Sequence, residues 1–306
     1  MIKTQSFKIS SILSLNQNIQ IIGSSEAEID NVISITDVTE QINFSNSLSW
    51  INDKNATSFK IKCKIGLLIC TESSYQKIKN IIEANFIITQ KPRQFFQQIL
   101  ESKFKKQFEN KIEPTSVVHP TAVLPKNCYI GHYTVIEEGV VIGENTYIGH
   151  HNSILARTMI GANVHIGNNN SIGHDGYGYE KNDNGDWQHM PHLGNVIIQD
   201  NVSLHSFIAI DKGVLGSTLI GYNSKIDNHV HISHNVQIGK NCILLQAAVI
   251  GGSAIIGDDC WIGHSVAIIN KATIGKNCFF AGKALILKSM PDGSKYSGPA
   301  ATKLDF

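Results

Sequence analysis

Aliphatic residues recur at every sixth position over most of this chain. The first run steps from Val118 through Leu124, Ile130, Ile136, Ile142, Ile148, Ile154, Ile160 and Ile166 to Ile172, and resumes at Ile198, Leu204 and Ile210. The second runs unbroken from Ile220 to Ile286, with Leu244 and Phe280 as its non-isoleucine members. An amphipathic helix has a period of about 3.6 and a half-buried strand a period of 2, so neither produces a hexad. A triangular parallel β-helix does, because each of its three faces points one side chain inward every six residues. Gly often follows the aliphatic residue, as at Gly143, Gly161, Gly221 and Gly275, and Asn often stands two places further on, as at Asn145, Asn163, Asn223 and Asn277. Corners that require small or φ > 0 residues explain both preferences.

The fold class expected is therefore mainly β, a left-handed parallel β-helix over 113–288, behind a small N-terminal α/β domain over 1–90. In the leading segment, short strand-like runs at Ile19–Ile22, Ile65–Ile69 and Phe86–Ile88 alternate with polar turns. Pro92 can open a helix, and Phe95, Phe96, Ile99, Leu100 and Phe104 continue it at helical spacing, so 91–112 is expected to be a linker helix. Residues 289–306 are expected to form a short polar tail. Two insertions interrupt the ladder, and a β-helix accommodates insertions as loops leaving its corners. The larger, Gly173 to Gly194, is dense in Gly, aromatic residues and His, which suits a binding loop; the smaller adds four residues between Ile210 and Ile220.

Composition adds outer bounds. With 306 residues, 42% hydrophobic content and a net charge of +1, the chain fits about two domains and has no polybasic signature for nucleic acid. The first residues lack the apolar core of a signal peptide and no apolar run approaches the roughly 18 residues of a membrane span, which leads to an expectation of a cytoplasmic protein. Six cysteines without CxxC spacing suit reduced thiols at packing positions better than a disulfide or zinc framework.

Three hexads make one coil, so residues eighteen apart stack across a strand spacing of about 4.8 Å. This places His234, two positions past the ladder residue Ile232, beside Gly252 on the next coil and Asn270 on the one after. A histidine facing a glycine backbone can act as a general base beside an N–H that stabilises an oxyanion, the pairing that acyl transfer requires. Asp227, seven residues earlier, is a candidate to orient the imidazole or to contact a sugar. A surface histidine on a strand is also commonly structural. The set His229, His231 and His234 could instead ligate a metal, although His234 lies beyond the inward Ile232 while the other two precede it.

Several motifs go beyond the hexad: Asp175-Gly-Tyr-Gly-Tyr179, Gly185-Asp-Trp187, Pro191-His-Leu-Gly194, Ile210-Asp-Lys-Gly213, Lys225-Ile-Asp-Asn228 and His234-Asn-Val236. With them the chain resembles the UDP-3-O-(3-hydroxyacyl)glucosamine N-acyltransferases of lipid A synthesis. The resemblance implies a homotrimer that moves an acyl chain from the phosphopantetheine thioester of acyl carrier protein to the 2-amine of a UDP-linked acylated glucosamine. It implies no metal and no covalently bound cofactor. His234 matches that family's general base and the Gly252 amide its oxyanion donor. Asn228, His231, Tyr177 and Tyr179 are expected on the substrate side, with Tyr177 or Tyr179 buried at a subunit interface. Trp50 and Asn52, in Leu48-Ser-Trp-Ile-Asn-Asp-Lys54, resemble a uracil-binding stretch that is here one residue shorter and lacks its second aromatic, replaced by Asn55. The family's second active-site histidine falls at Lys271, and its helical tail for acyl carrier protein has little counterpart after Tyr296. Those departures keep open a paralogue that acylates another nucleotide-linked amino sugar from acyl-CoA. Outside the family, the alternatives are a γ-carbonic-anhydrase-like metal hydro-lyase and a non-catalytic scaffold.

Overall fold

The hexad becomes a stack of mostly two-residue strands, each typically pairing an outward residue with an inward apolar one. A computed structural model describes residues 2–38, 44–105 and 108–300, so the last six residues of the expected tail, and 106–107 of the expected linker, lie outside it. The chain divides into two units, Met1–Gln107 and Phe108–Phe306.

In the first unit, strands β1 (Ile2–Lys8), β2 (Gln20–Ile22), β3 (Glu28–Val32), β4 (Phe44–Trp50), β5 (Cys63–Cys70) and β6 (Ile82–Ile88) form a sheet ordered β1-β3-β4-β5-β6-β2. The β3-β4-β5-β6 pairs are parallel, and β1 and β2 close the edges antiparallel. Central strand β5 is almost continuously apolar because both of its faces are covered. Its Leu67 and Ile69 enter one core, with Phe95 and Ile99 of the helix Pro92–Ile99, while Leu68 and Cys70 enter another, with Ala56 and Ile78 of the helices Asp53–Ser58 and Glu72–Ile78. The helix expected as a linker thus contributes core residues to the first unit, and Pro92 sits in its first turn.

In the second unit three parallel sheets line the faces of a β-helix that begins with Lys111–Ile112, two residues before the expected 113. Ladder residues from Ile130 to Ile286 form one continuous buried core. Val135 pairs with Ser153, one 18-residue coil later, but Ser171 pairs with Ala209 and Ala209 with His231, so the two insertions add 20 and 4 residues. Asn145, Asn163, Asn223 and Asn277 have φ of 57°, 56°, 59° and 56°, the left-handed corners that Asn tolerates. The ladder glycines answer a different need. A Cβ on Gly143 would lie 2.5 Å from the backbone of the next coil, so the residue is small because the coils touch there. Cys128, Cys242, Cys260 and Cys278 are buried and unpaired in the same core, as expected for packing thiols.

Candidate active site

Both insertions leave the β-helix on one column of stacked strands. The strand Ser171–His174 lies beside Ala209–Asp211, which lies beside His231–Ile232. The large insertion carries a hairpin, Tyr179–Lys181 against Trp187–His189, and returns through Pro191 to His192.

His234 and Gly252 are brought together as the coil spacing requires. A Cβ built on Gly252 would lie 2.7 Å from His234 Nε2 and 2.9 Å from Cε1, so the ring occupies the space a side chain would take. Its other nitrogen, Nδ1, faces Asn235 Oδ1 at 3.2 Å. The small insertion fixes that carboxamide: Val214 N–H donates to Asn235 Oδ1 at 2.9 Å, and Asn235 Nδ2 donates to the Leu215 carbonyl at 2.6 Å. With Oδ1 turned toward the imidazole, Nδ1 carries the proton and Nε2 is left basic. Asn235, which the sequence did not single out, is therefore the residue that sets the tautomer.

The Gly252 N–H has a partner already. It donates to Asn270 Oδ1 at 3.0 Å, so it is not the free donor expected from spacing. The physical reason is the same stacking: Asn270 sits one coil on, and its short side chain reaches back to the amide. Lys271 lies at the adjoining corner with φ 63°; its N–H donates to the Gly252 carbonyl at 2.9 Å, and its side chain is exposed.

Asp227 does not orient His234. Its Oδ1 accepts from Asn228 N–H at 2.7 Å and from Asn228 Nδ2 at 3.0 Å, and its Oδ2 accepts from Gln246 N–H at 3.2 Å, which is corner bracing. Asn228 completes that bracing, accepting from Ser206 N–H. The carboxylate among the histidines is Asp211, supplied where the small insertion begins. His174 Nε2 lies 3.3 Å from its Oδ1, at an angle that makes no hydrogen bond, and His231 Nε2 lies 3.9 Å from its Oδ2. His192 packs edge-on to His234, ring centroids 5.4 Å apart. Gly176 fits between them: its Cβ would lie 2.8 Å from His192 Nε2, 3.0 Å from Asp211 Oδ2 and 3.3 Å from His234 Cβ. Tyr177 and Tyr179 stay exposed with rings 4.9 Å apart.

Burial pushes the Asp211 carboxyl above the ordinary range, against the opposing charges of His174, His231, His234 and His192. A carboxyl with a raised native pKa binds protons more readily folded than unfolded, so its contribution to stability is present at low pH and is lost as pH rises through the native value. Asp211→Asn removes that loss. Its Tm at pH 7 is expected to exceed wild type, with the gap closing as pH falls toward the unfolded carboxylate range near about 4; thermal melts at the two pH values check this.

In the first unit, Trp50 is half-buried against Phe96, ring centroids 6.4 Å apart. Asn52 Oδ1 caps the helix Asp53–Ser58 by accepting from Asn55 N–H at 2.7 Å. Both residues line a cavity of about 510 Å³ with Arg93, Lys91 and Gln97, so the expected uracil-binding pair does border a pocket.

This geometry has parallels among known proteins. The bacterial transferase hexapeptide family matches residues 121–156 and 253–288. A UDP-3-O-acylglucosamine N-acyltransferase from Caulobacter vibrioides is 56% identical over 115 residues, 38% of this chain and 34% of that protein. One from Coxiella burnetii is 32% identical over 254 residues, 75% of this chain and 70% of the relative. The chain belongs to the UDP-3-O-acylglucosamine N-acyltransferase family. Among solved structures, the UDP-N-acetylglucosamine acyltransferase of Francisella novicida aligns with a TM-score of 0.57 at 29% identity, over 61% of this chain and 67% of that one. Family membership and this likeness make the second unit the left-handed β-helix expected from the hexad. The match to the Caulobacter member spans about a third of that protein's length. Among the described residues no helix is long and apolar enough to cross a membrane.

Proposed function

We propose that this chain transfers a 3-hydroxyacyl group from the phosphopantetheine thioester of acyl carrier protein to the 2-amine of a UDP-3-O-acyl-glucosamine, a step of lipid A synthesis. The observation that carries this is the His234 ring seated against the Gly252 backbone with its Nε2 basic. As the amine nitrogen attacks the thioester carbonyl, a C–N bond forms and the amine proton passes to His234 Nε2. The oxyanion takes the Gly252 N–H, displacing Asn270 Oδ1. When the intermediate collapses the C–S bond breaks, and the proton on His234 goes to the leaving thiolate. No metal or resident cofactor takes part in these steps.

The uracil is assigned to the cavity at Trp50 and Asn52, with Arg93 and Lys91 as cations for the diphosphate. His231, Asn228, Tyr177 and Tyr179 are assigned to the acceptor side of the β-helix. The acting form is a homotrimer: outward Val249 and Leu285, stacked in one column, leave exposed apolar surface there for a neighbouring subunit. Six free thiols suit the reducing cytoplasm.

Lys271 makes the donor a testable point, because an ammonium there is a point charge in place of a directional imidazole. With carrier-protein donor, Lys271→His is expected to match or exceed wild-type transfer. Rates of both proteins with carrier-protein and CoA thioesters, measured side by side, check this; a CoA preference in both overturns the donor and favours the paralogue reading.

A further inference from the structure

The base of the large insertion brings Asp175, His189 and His192 together, with one ligand atom from each within 4.8 Å of the others. The three come from opposite ends of the insertion: Asp175 follows the strand Ser171–His174, and the hairpin returns His189 and then His192. His192 is 3% exposed. Its Nδ1 faces the Met190 carbonyl at 2.7 Å, and because a carbonyl accepts, that nitrogen holds the proton and Nε2 presents a lone pair. Among the described residues nothing hydrogen-bonds to that Nε2. A buried polar atom left unpaired is destabilising. A histidine whose other ring nitrogen is held by a backbone carbonyl is the usual arrangement of a metal ligand, since the carbonyl fixes tautomer and ring orientation. His189 is oriented similarly, with Nε2 facing the Gly176 carbonyl at 3.2 Å, and its ring stacks on His192 with centroids 5.7 Å apart. Asp175 pairs with Lys212 through Oδ1, which leaves Oδ2 open.

We propose that Asp175, His189 and His192 form a binding site for a divalent cation of the zinc class, which ties the two ends of the insertion together. Two imidazoles and one carboxylate suit Zn²⁺ or Co²⁺ better than the oxygen-seeking Mg²⁺ or Ca²⁺. Tetrahedral zinc with bonds of about 2.0–2.2 Å places ligand atoms about 3.3 Å apart. Rotation of the two exposed side chains, Asp175 and His189, closes the remaining distance while the buried His192 stays fixed. The site does not depend on the acyl-transfer reading, since the cation braces the insertion and enters no step of the reaction.

The test is zinc binding by the tag-free full chain, measured by competition with a chromophoric chelator, with Co²⁺ visible absorption as a second readout. One Zn²⁺ per chain is expected, with a rise in Tm that EDTA reverses. His189→Ala, a surface change that leaves folding intact, and His192→Gln are each expected to weaken binding at least about tenfold and to remove the tetrahedral cobalt spectrum. No zinc bound at micromolar concentration overturns the proposal, and so does equal affinity in wild type and His189→Ala, which would place the ion elsewhere.

Discussion

His234→Ala is expected to lower kcat for acyl transfer by about 10²–10⁴-fold, the usual contribution of a general base, with Tm near that of wild type. The two effects separate because different residues serve chemistry and fold. The inward residue of this hexad is Ile232, fully buried in the core, whereas His234 is half-buried beyond it and its ring makes one side-chain hydrogen bond, to Asn235. Its backbone carbonyl, which accepts from Ser253 N–H at 2.8 Å, is untouched by the substitution. Steady-state rates with the carrier-protein donor, together with a thermal melt, check both halves. Wild-type turnover in His234→Ala would remove it as the base and make His231 the next candidate. A collapse of Tm with the loss of rate would show that the histidine is structural.

Gly252→Ala should be nearly as damaging to rate and likewise gentle to the fold. The added methyl would lie 2.7 Å from His234 Nε2 and 2.9 Å from Cε1, closer than real atoms approach, so the imidazole must leave its place. Gly252 is not among the residues with positive φ, so alanine meets no backbone strain there. The expected result is a loss of at least about 10²-fold in kcat with Tm unchanged or slightly raised, as alanine restricts the unfolded chain. Gly251→Ala, one residue earlier, should do the reverse. Its methyl would meet the Asn270 backbone nitrogen at 2.6 Å and the Ile268 carbonyl at 2.8 Å, which belong to the next coil and cannot turn aside. Destabilisation should dominate that variant. Equal activity in Gly252→Ala and wild type would mean that the ring is not held where the geometry puts it.

The proximity of His234 and Gly252 was legible because it obeys the repeat: eighteen residues separate them, and a coil of three hexads returns the chain to the same column. Asp227 misled for a related reason. Its place beside the histidine segment suggested an orienting carboxylate, but its oxygens brace the corner through Asn228 and Gln246. Asn270 was legible as a stacked neighbour, yet not as the acceptor of the Gly252 N–H, since spacing gives the position of a residue and not the direction of its side chain.

The sequence by itself determined the β-helix, its coil length and its two insertions, which the structure places on one column, because a side chain buried every sixth residue fits few other folds. It also determined which residues turn the corners, through the φ and the size that each corner permits. The tertiary structure alone decided what the insertions bring to that column. Asp211 is among the histidines because an insertion of 20 residues and one of 4 leave adjacent strands. Asn235 sets the imidazole tautomer because the smaller loop folds back onto its carboxamide. His192 and Gly176 reach His234 because the hairpin returns to its own base. Loops have no period, so their contacts follow from closure and packing in three dimensions, which no spacing along the chain encodes.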